Sequence, residues 1–213
     1  MSGVAAVALA CFFIGSIPFG IIFARVFGGA DIRRHGSGNI GATNVSRVVG
    51  FWPAGFLTFL CDGLKGTSSV LLASSFAAWI YSYWTSFPDP SWEPGSLMLR
   101  WCAGFMGVAG HCFSPWLRFR GGKGVATGFG AIAILSPWSA LVGALGFIIT
   151  FVSYRIGSLA SLSGLLLTVL AHFSLPGLET GAHLVFGGAL VFIILARHGE
   201  NIDALLEKRE NQF

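Results

Sequence analysis

Charged residues are scarce in this sequence: Asp, Glu, Lys and Arg make up only 10% of its 213 residues, whereas hydrophobic residues make up 54%. Soluble domains carry about 25% charged residues, so the composition excludes an ordinary soluble fold. The mean hydropathy of +0.74 reflects apolar runs long enough to cross a bilayer, and these recur along the whole chain. A membrane β-barrel would instead show short alternating segments. The sequence therefore predicts an all-α integral membrane protein.

Paired cysteines and a basic leader are also missing. Cys11, Cys61, Cys102 and Cys112 lie in or beside apolar segments and form no CxxC pair, which predicts buried thiols rather than disulfides or a structural zinc. The first ten residues contain no Lys or Arg, so we expect a permanent span rather than a cleaved signal peptide. The basic residues cluster at the ends of spans, which indicates membrane orientation and anionic ligands rather than nucleic acid.

The apolar runs predict about seven transmembrane or membrane-embedded helices, some of them short, in a single domain over residues 1–213. They cover residues 4–27, 51–84, 97–116, 126–152, 157–173 and 182–196. Pro18 is expected to kink the first run, and Ser136-Pro137 divides the fourth run into two halves that are each short for a full crossing. The run 51–84 fits either a short helix followed by a full span or one long tilted helix.

The charges between these runs predict the orientation of the chain. Arg33 and Arg34 follow the first run, and the C-terminal segment is also basic, whereas residues 86–95 and 176–181 contain no Lys or Arg. By the positive-inside rule the N-terminus is then outside and the C-terminus inside. This solution requires residues 126–152 to form a membrane-embedded hairpin, because a single crossing would place Arg155 outside.

On this topology three polar segments, residues 35–47, 111–127 and 197–210, meet at the cytoplasmic face. Glycine-rich loops with cations and exposed backbone amides suit a phosphate group. Because a bilayer does not tolerate unpartnered amides and cations, we predict that the three segments form one site. Asp62 and Lys65, at i and i+3, are expected to pair, either as a structural ion pair or as support for that site.

Several motif matches in these segments are rejected on their context. The run GSGNIG (residues 36–41) matches G-x-G-x-x-G, but it follows a membrane helix rather than a strand, which argues against a dinucleotide site. GGKG (residues 121–124) lacks the first glycine and the Ser or Thr of a Walker loop. His198 and Asp203 have the spacing of a catalytic base and its orienting residue in one known class of enzymes, a match that we attribute to chance.

A metal site is not predicted either. His35, His111 and His198 are placed near one face, yet no H-x-x-x-H spacing or similar pair of ligands occurs.

Motifs spread over nearly the whole chain resemble a known family. They are GSIPFG (15–20), GSGNIGATNV (36–45), DGLKG (62–66), Gly110-His111, Pro115, GGKGVAT (121–127) and Arg197-His198 followed by Glu200-Asn201-Ile202. In this order they resemble the bacterial membrane acyl-phosphate:glycerol-3-phosphate acyltransferases. The resemblance implies transfer of a fatty acyl group from an acyl phosphate to the 1-hydroxyl of glycerol 3-phosphate, giving lysophosphatidic acid and inorganic phosphate, without a cofactor or metal.

The same resemblance assigns the site residues and the setting. It implies catalytic roles for Ser37, Lys123, His198 and Asn201, and substrate binding by Gly36, Gly38, Asn39, Gly41, Thr43, Asn44, Arg47, His111, Gly121 and Gly122. It further implies a multi-pass enzyme of the bacterial cytoplasmic (inner) membrane with its site on the cytoplasmic face. Its partners are then glycerol 3-phosphate, long-chain acyl phosphate, the lipid bilayer and, functionally, the enzyme that produces the acyl phosphate.

The sequence departs from the family near its end, where Ala204 stands for an arginine and Lys208 for a glycine. We expect Lys208 or Arg209 to replace the missing arginine contact. For the proton of the glycerol hydroxyl, His198 and the departing phosphate are alternative acceptors, and a covalent acyl group on Ser37 is a third route. A transporter for a phosphate-bearing solute is the competing function, since broken helices with glycines and cations also occur in transporters.

Overall fold

The computed structural model describes residues 2–29, 31–84, 96–174, 181, 183–210 and 212, and all regular structure within them is helical. The α-helices in these residues are α1 Ser2–Ser16, α2 Phe19–Gly28, α3 Ala42–Val48, α4 Phe56–Trp84, α5 Ser96–Cys112, α6 Val125–Leu135, α7 Pro137–Tyr154, α8 Gly157–Phe173, α9 Gly188–Ala196 and α10 Gly199–Leu206. Short 3₁₀-helices cover Ile32–Arg34 and Pro115–Leu117, and π-helical turns cover Phe51–Gly55 and His183–Gly187. The predicted all-α fold is confirmed.

The membrane character is visible in both helix length and surface. Gly3–Gly28, Phe51–Trp79 and Pro137–Tyr154 are long and apolar enough to cross a membrane, and Leu184–Ala196 with Gly199–Leu206 makes a fourth candidate bent by 55°. α6 and α8 are shorter apolar helices. Large apolar side chains along the length of α7, such as Leu141 and Ile149, are at least half exposed, as expected of a surface that faces lipid.

Breaks in the helices occur where the sequence predicts them. Ile17 and Pro18 separate α1 from α2, and Ser136 separates α6 from α7, which begins with Pro137. Proline lacks the N–H that an uninterrupted helix needs, so each break coincides with a proline. In the run 51–84, one long helix, α4, continues through Asp62 and follows a π-helical turn. The polar loop predicted at residues 86–95, and all of 176–181 except Gly181, lie outside the described residues.

Small residues allow the helices to approach closely. The main packing partners are α7 with α8, α4 with α6 and α1 with α5. At the contact between α4 and α6, a Cβ on Gly66 or Gly130 would collide with the backbone of the other helix, and Gly15 meets Gly107 in the same way between α1 and α5. Because the hydrophobic effect does not hold helices together within lipid, close van der Waals packing between the helices has to stabilise their association. The loops that follow are therefore fixed to a closely packed helix scaffold.

Candidate active site

All three polar segments line one cavity of about 530 Å³. Ser37 and Arg47 come from the first segment, Lys123 from the second, and Asn201 and Glu210 from the third. Most of the remaining lining is apolar and comes from α4 with the turn before it and from α6 to α9. The predicted convergence of these segments is therefore present, and the polar end continues into an apolar groove.

Asn44 organises the first segment. Its side-chain Oδ1 accepts a hydrogen bond from Ser37 N (3.0 Å), while Nδ2 donates to the carbonyl oxygens of His35 (3.0 Å) and Asn39 (2.9 Å). Gly36 and Gly38 have φ values of 58° and 69°, a left-handed conformation that glycine adopts without strain. With its amide fully used within the loop, Asn44 fixes the shape of the wall on which Ser37 lies exposed.

The second segment is held from two sides. Gly121 N and Gly122 N donate to the carbonyl oxygens at the end of α5, those of Cys112 and His111, over 3.0 and 3.1 Å. From the end of α9, the Arg197 guanidinium donates to Gly121 O (2.7 Å) and Gly122 O (3.1 Å). A side chain on Gly122 would collide with the His111 ring, which explains the absence of a Cβ there. The loop therefore presents Lys123 in one position.

Lys123 is linked to the C-terminal segment. Its ammonium donates to Asn201 Oδ1, and Asn201 Nδ2 donates to both carboxylate oxygens of Glu210 at 2.9 and 3.1 Å. Burial lowers the pKa of Lys123, while the carboxylates of Glu210 and Glu200 act in the opposite direction. The chain of contacts thus places a half-buried cation, an amide and a carboxylate side by side at the polar end of the cavity.

His198 lies behind this chain rather than in it. It occupies the turn between α9 and α10, is only 1% exposed and does not belong to the cavity lining. Its Nδ1 is 2.7 Å from Ile194 O, so the neutral tautomer with a proton on Nδ1 is favoured. Burial lowers its pKa to about 4, against the hydrogen bond to Ile194, which raises it. Asp203 is exposed, whereas the imidazole Nδ1 is bonded to Ile194 O, in keeping with a chance motif match.

Buried charges underlie the site. Lys65 Nζ lies 2.6 Å from Asp62 Oδ1, and His111 Nδ1 lies 3.7 Å from the same oxygen. All three side chains are at most 4% exposed, and both Asp62 and His111 reach the cavity. The predicted pair therefore exists, and it contacts the residue on which Gly122 packs. The sequence left two roles open for this pair, a structural ion pair or a support for the site, and this geometry favours the second.

Not every residue assigned to the site reaches the cavity. The lining includes nine of them, namely Ser37, Asn39, Gly41, Thr43, Asn44, Arg47, His111, Lys123 and Asn201, and it leaves out Gly36, Gly38, Gly121, Gly122 and His198. The four glycines act through the shape of the two loops. Lys208 and Arg209 are exposed and outside the lining, and Arg209 pairs with Glu207, so neither replaces the missing arginine contact in this structure.

Two lining residues escaped the sequence analysis as site residues. Ser158 is the second residue of α8, which has no side-chain N-cap and whose first residue, Gly157, packs on Thr43 of the first segment. Ser158 Oγ is buried and has no hydrogen-bond partner among the described residues. Glu210 follows α10 near the C-terminus. Ser158 shows no sequence signal of its own, because it reaches the site through packing of helices that are distant in sequence. Glu210 lies nine residues after Asn201, at the glutamate with which the family pattern that starts at Asn201 ends.

No group of three His, Cys, Asp or Glu side chains in the described part of the chain is arranged to hold a metal ion.

The fold and the cavity define a helical integral membrane protein in which a cationic, amide-rich pocket opens into an apolar groove, as a transferase between a phosphate-bearing substrate and a lipid chain requires. A family model described as "Glycerol-3-phosphate acyltransferase" matches residues 5–208. The chain belongs to the glycerol-3-phosphate acyltransferase family, and it is an acyltransferase.

Individual relatives agree with this membership. A glycerol-3-phosphate acyltransferase of Anaeromyxobacter sp. (strain Fw109-5) is 39% identical over 199 residues, which is 93% of this chain and 91% of the relative. One from Synechococcus elongatus is 37% identical, covering 97% of this chain and 93% of the relative. The crystal structure of PlsY (YgiH), an integral membrane glycerol 3-phosphate acyltransferase, in its glycerol 3-phosphate form superposes with a TM-score of 0.83 at 32% identity, covering 99% of this chain and 96% of that one.

Proposed function

We propose that this enzyme transfers a fatty acyl group from acyl phosphate to the 1-hydroxyl of glycerol 3-phosphate. The observation that carries the proposal is the single cavity in which Arg47 and Lys123 stand at one end of an apolar groove. Both substrates bear a phosphate, and only one bears a long apolar chain. Such a cavity holds the charged ends together while it keeps the acyl chain out of water.

The phosphate groups have a set of donors with different geometry. Arg47 and Lys123 supply positive charge, and Ser37 adds a hydroxyl. At the start of α8, the uncapped backbone N–H groups and the unpartnered Ser158 hydroxyl face the same cavity, and a helix N-terminus favours an anion. We assign the acyl phosphate to the donors of Ser158 and Lys123, because these residues lie at the starts of α8 and α6, the helices that continue as walls of the apolar groove.

The reaction follows from this placement. The glycerol 1-hydroxyl oxygen attacks the acyl carbonyl carbon, the bond from that carbon to the phosphate oxygen breaks, and inorganic phosphate leaves with the electron pair. The departing phosphate accepts the hydroxyl proton. His198 is buried behind the cavity and its Nδ1–H donates to Ile194 O, which supports a positioning role rather than that of a base. An acyl phosphate is already activated, so positioning and charge stabilisation are the main demands.

The setting we propose is the bacterial cytoplasmic membrane, with the N-terminus outside, the C-terminus inside and the site facing the cytoplasm. The basic segments at 33–34 and 118–123 and the C-terminal basic residues support this orientation by the positive-inside rule. The soluble substrate, glycerol 3-phosphate, then reaches the polar end directly. The enzyme that produces the acyl phosphate is the expected functional partner.

The test is acyl transfer by the purified protein in detergent, with palmitoyl phosphate and glycerol 3-phosphate as substrates. We expect Lys123→Ala to lower kcat/KM by about a hundredfold or more, since a cation near developing charge is removed, and Ser37→Ala to lower it less. The exposed Arg120→Ala is the matched control and should stay near the wild-type rate. Wild-type rates in both site variants would refute the proposed site.

The same assay separates the transferase from a transporter. A transporter for a phosphate-bearing solute acts only across a sealed membrane, whereas transfer in detergent needs none.

Trapping with acyl phosphate alone tests the covalent route. A labelled protein whose label is lost in Ser37→Ala would replace direct transfer with an acyl-enzyme. We expect no label, because glycerol 3-phosphate and acyl phosphate bind side by side in one cavity.

A further inference from the structure

The apolar groove has a definite far end. Gly157 at the start of α8 lines its polar end and Thr168 on the same helix lines the opposite end, so the α-helical rise places them about 16 Å apart along α8. α6 begins at Val125, two residues after Lys123, and leads away from the polar end, so its last lining residue, Ile132, lies toward the far end. α7 returns toward Gly157, and its first lining residue, Ala140, therefore also marks the far end.

This far end is closed by packed side chains. Ile132 and Ala140 are 9% and 4% exposed and form one apolar cluster with Trp101 of α5, which is 2% exposed. Leu190 of α9 lines the groove nearby and is also buried. Because these residues are buried and other side chains pack behind them, a chain that reaches them cannot continue into lipid.

The groove is open along one edge instead. Phe51 and Phe59, on the α4 side, and Ile148 of α7 line the groove and are 63%, 48% and 55% exposed. Exposed apolar lining at membrane depth offers a route by which an acyl chain enters from the bilayer. An acyl chain can thus enter sideways and then place its methyl end against the closed cluster.

We propose that Ala140 and Ile132 set the longest acyl chain that fits within the groove, an inference that rests on the proposed acyl-phosphate reaction. An extended chain advances about 1.25 Å for each carbon–carbon bond of roughly 1.5 Å, so ~16 Å holds about 13 carbons. A longer chain such as palmitoyl has to bend to fit within the groove, so it is the most sensitive to the position of the closed end. Ala140 has the smallest side chain at the closed end, and a larger residue there shortens the groove directly.

The test compares kcat/KM for decanoyl phosphate and palmitoyl phosphate within one sample, so that the amount of folded enzyme cancels. Ala140→Leu is expected to lower the palmitoyl-to-decanoyl ratio by roughly tenfold or more, since a single misfitting methylene in an apolar pocket already has an effect of about this size. Ile132→Ala removes side-chain volume and is expected to raise the ratio. Leu141→Phe is the control, because Leu141 is on the same helix but half exposed and outside the groove.

The ratio of the two donors distinguishes a length limit at Ala140 and Ile132 from a general loss of activity. Ratios that stay at the wild-type value in Ala140→Leu and Ile132→Ala would overturn the inference, and so would an equal loss with both donors in Ala140→Leu. A change of the same size in Leu141→Phe would also contradict it. Failure of the wild-type enzyme with both acyl phosphates would count against the proposed function itself, which distinguishes the two.

Discussion

Lys208 has a left-handed backbone conformation, which is unfavourable for a residue with a side chain. It follows α10 with φ of 55°, and its N–H and that of Arg209 bond back to the carbonyls of Leu205 and Ala204. Such left-handed positions after a helix favour glycine, which is the residue that the family pattern has at this position. The departure noted in the sequence thus replaces an unstrained residue with a strained one.

Lys208→Gly is therefore expected to stabilise the protein. A left-handed residue other than glycine costs about 1–2 kcal/mol, and the greater freedom of glycine in the unfolded chain offsets part of this. A net gain of up to about 1 kcal/mol should raise the thermal unfolding midpoint in detergent. Lys208→Ala is the control, because it removes the charge and keeps the strain. Equal midpoints for the glycine and alanine variants would show that φ is not the cause.

His198 gives a second prediction at this scale. Its pKa of about 4 keeps the imidazole neutral above pH 5, and it donates through Nδ1 to Ile194 O. Asn can make the same donation but cannot act as a base. If His198 is a positioning residue, His198→Asn should remain within about tenfold of wild type, whereas His198→Ala should lose more because Ile194 O loses its partner.

The pH profile of kcat separates the two roles. A positioning imidazole leaves wild type and His198→Asn with the same profile between pH 5 and 8. A base would make His198→Asn inactive at every pH.

The stability of the fold should also depend on pH through His198. Because the pKa of His198 in the folded protein lies below the ordinary value of 6.5, its protonation destabilises the fold as the pH falls from about 6.5 toward 4. The unfolding midpoint of wild type should therefore fall over that range more than that of His198→Asn.

At the scale of elements, the end of α9 fixes the second glycine loop. The Arg197 guanidinium donates to the carbonyls of Gly121 and Gly122, on the backbone directly before Lys123. Arg197→Gln removes the charge-assisted pair, and hydrogen bonds to charged groups contribute about 1.5–3 kcal/mol each. We expect kcat/KM to fall by roughly tenfold or more, with a loss similar in size for both substrates.

Two variants provide the comparison for Arg197→Gln. Arg118→Gln, at an exposed arginine of the preceding turn, should leave kcat/KM unchanged. Arg197→Lys keeps the charge but not the two-pronged geometry, so it should recover only part of the rate. Full activity in Arg197→Gln would show that Lys123 is held in place without α9.

For the whole molecule, the orientation in the membrane is open to direct measurement. In a variant with the four cysteines replaced by alanine, Gln212→Cys is expected to react with a membrane-impermeant maleimide only after the cytoplasmic membrane has been permeabilised. A cysteine at Ser174, just after α8, should react in intact spheroplasts. Both positions are exposed, so access depends on the side of the membrane. The opposite pattern would place the site outside.

The sequence by itself was sufficient for the all-α membrane fold and for the convergence of three polar segments. Hydropathy, Pro18 and Pro137 predict membrane helices and their breaks, because these depend on local composition and on a missing backbone N–H. The pair of Asp62 and Lys65 follows from helical spacing. Glycine-rich basic loops predict an anion site for the same local reason.

Only the tertiary structure decided which side chains face the cavity. In the structure His198 is not part of the cavity lining, and the side-chain amide of Asn44 bonds within its own loop. Ser158 and Glu210 belong to the lining, and the groove ends at Ala140. These outcomes depend on which helix ends meet and on how completely each side chain is covered, and residues distant in sequence determine both. Local composition carries no information about either.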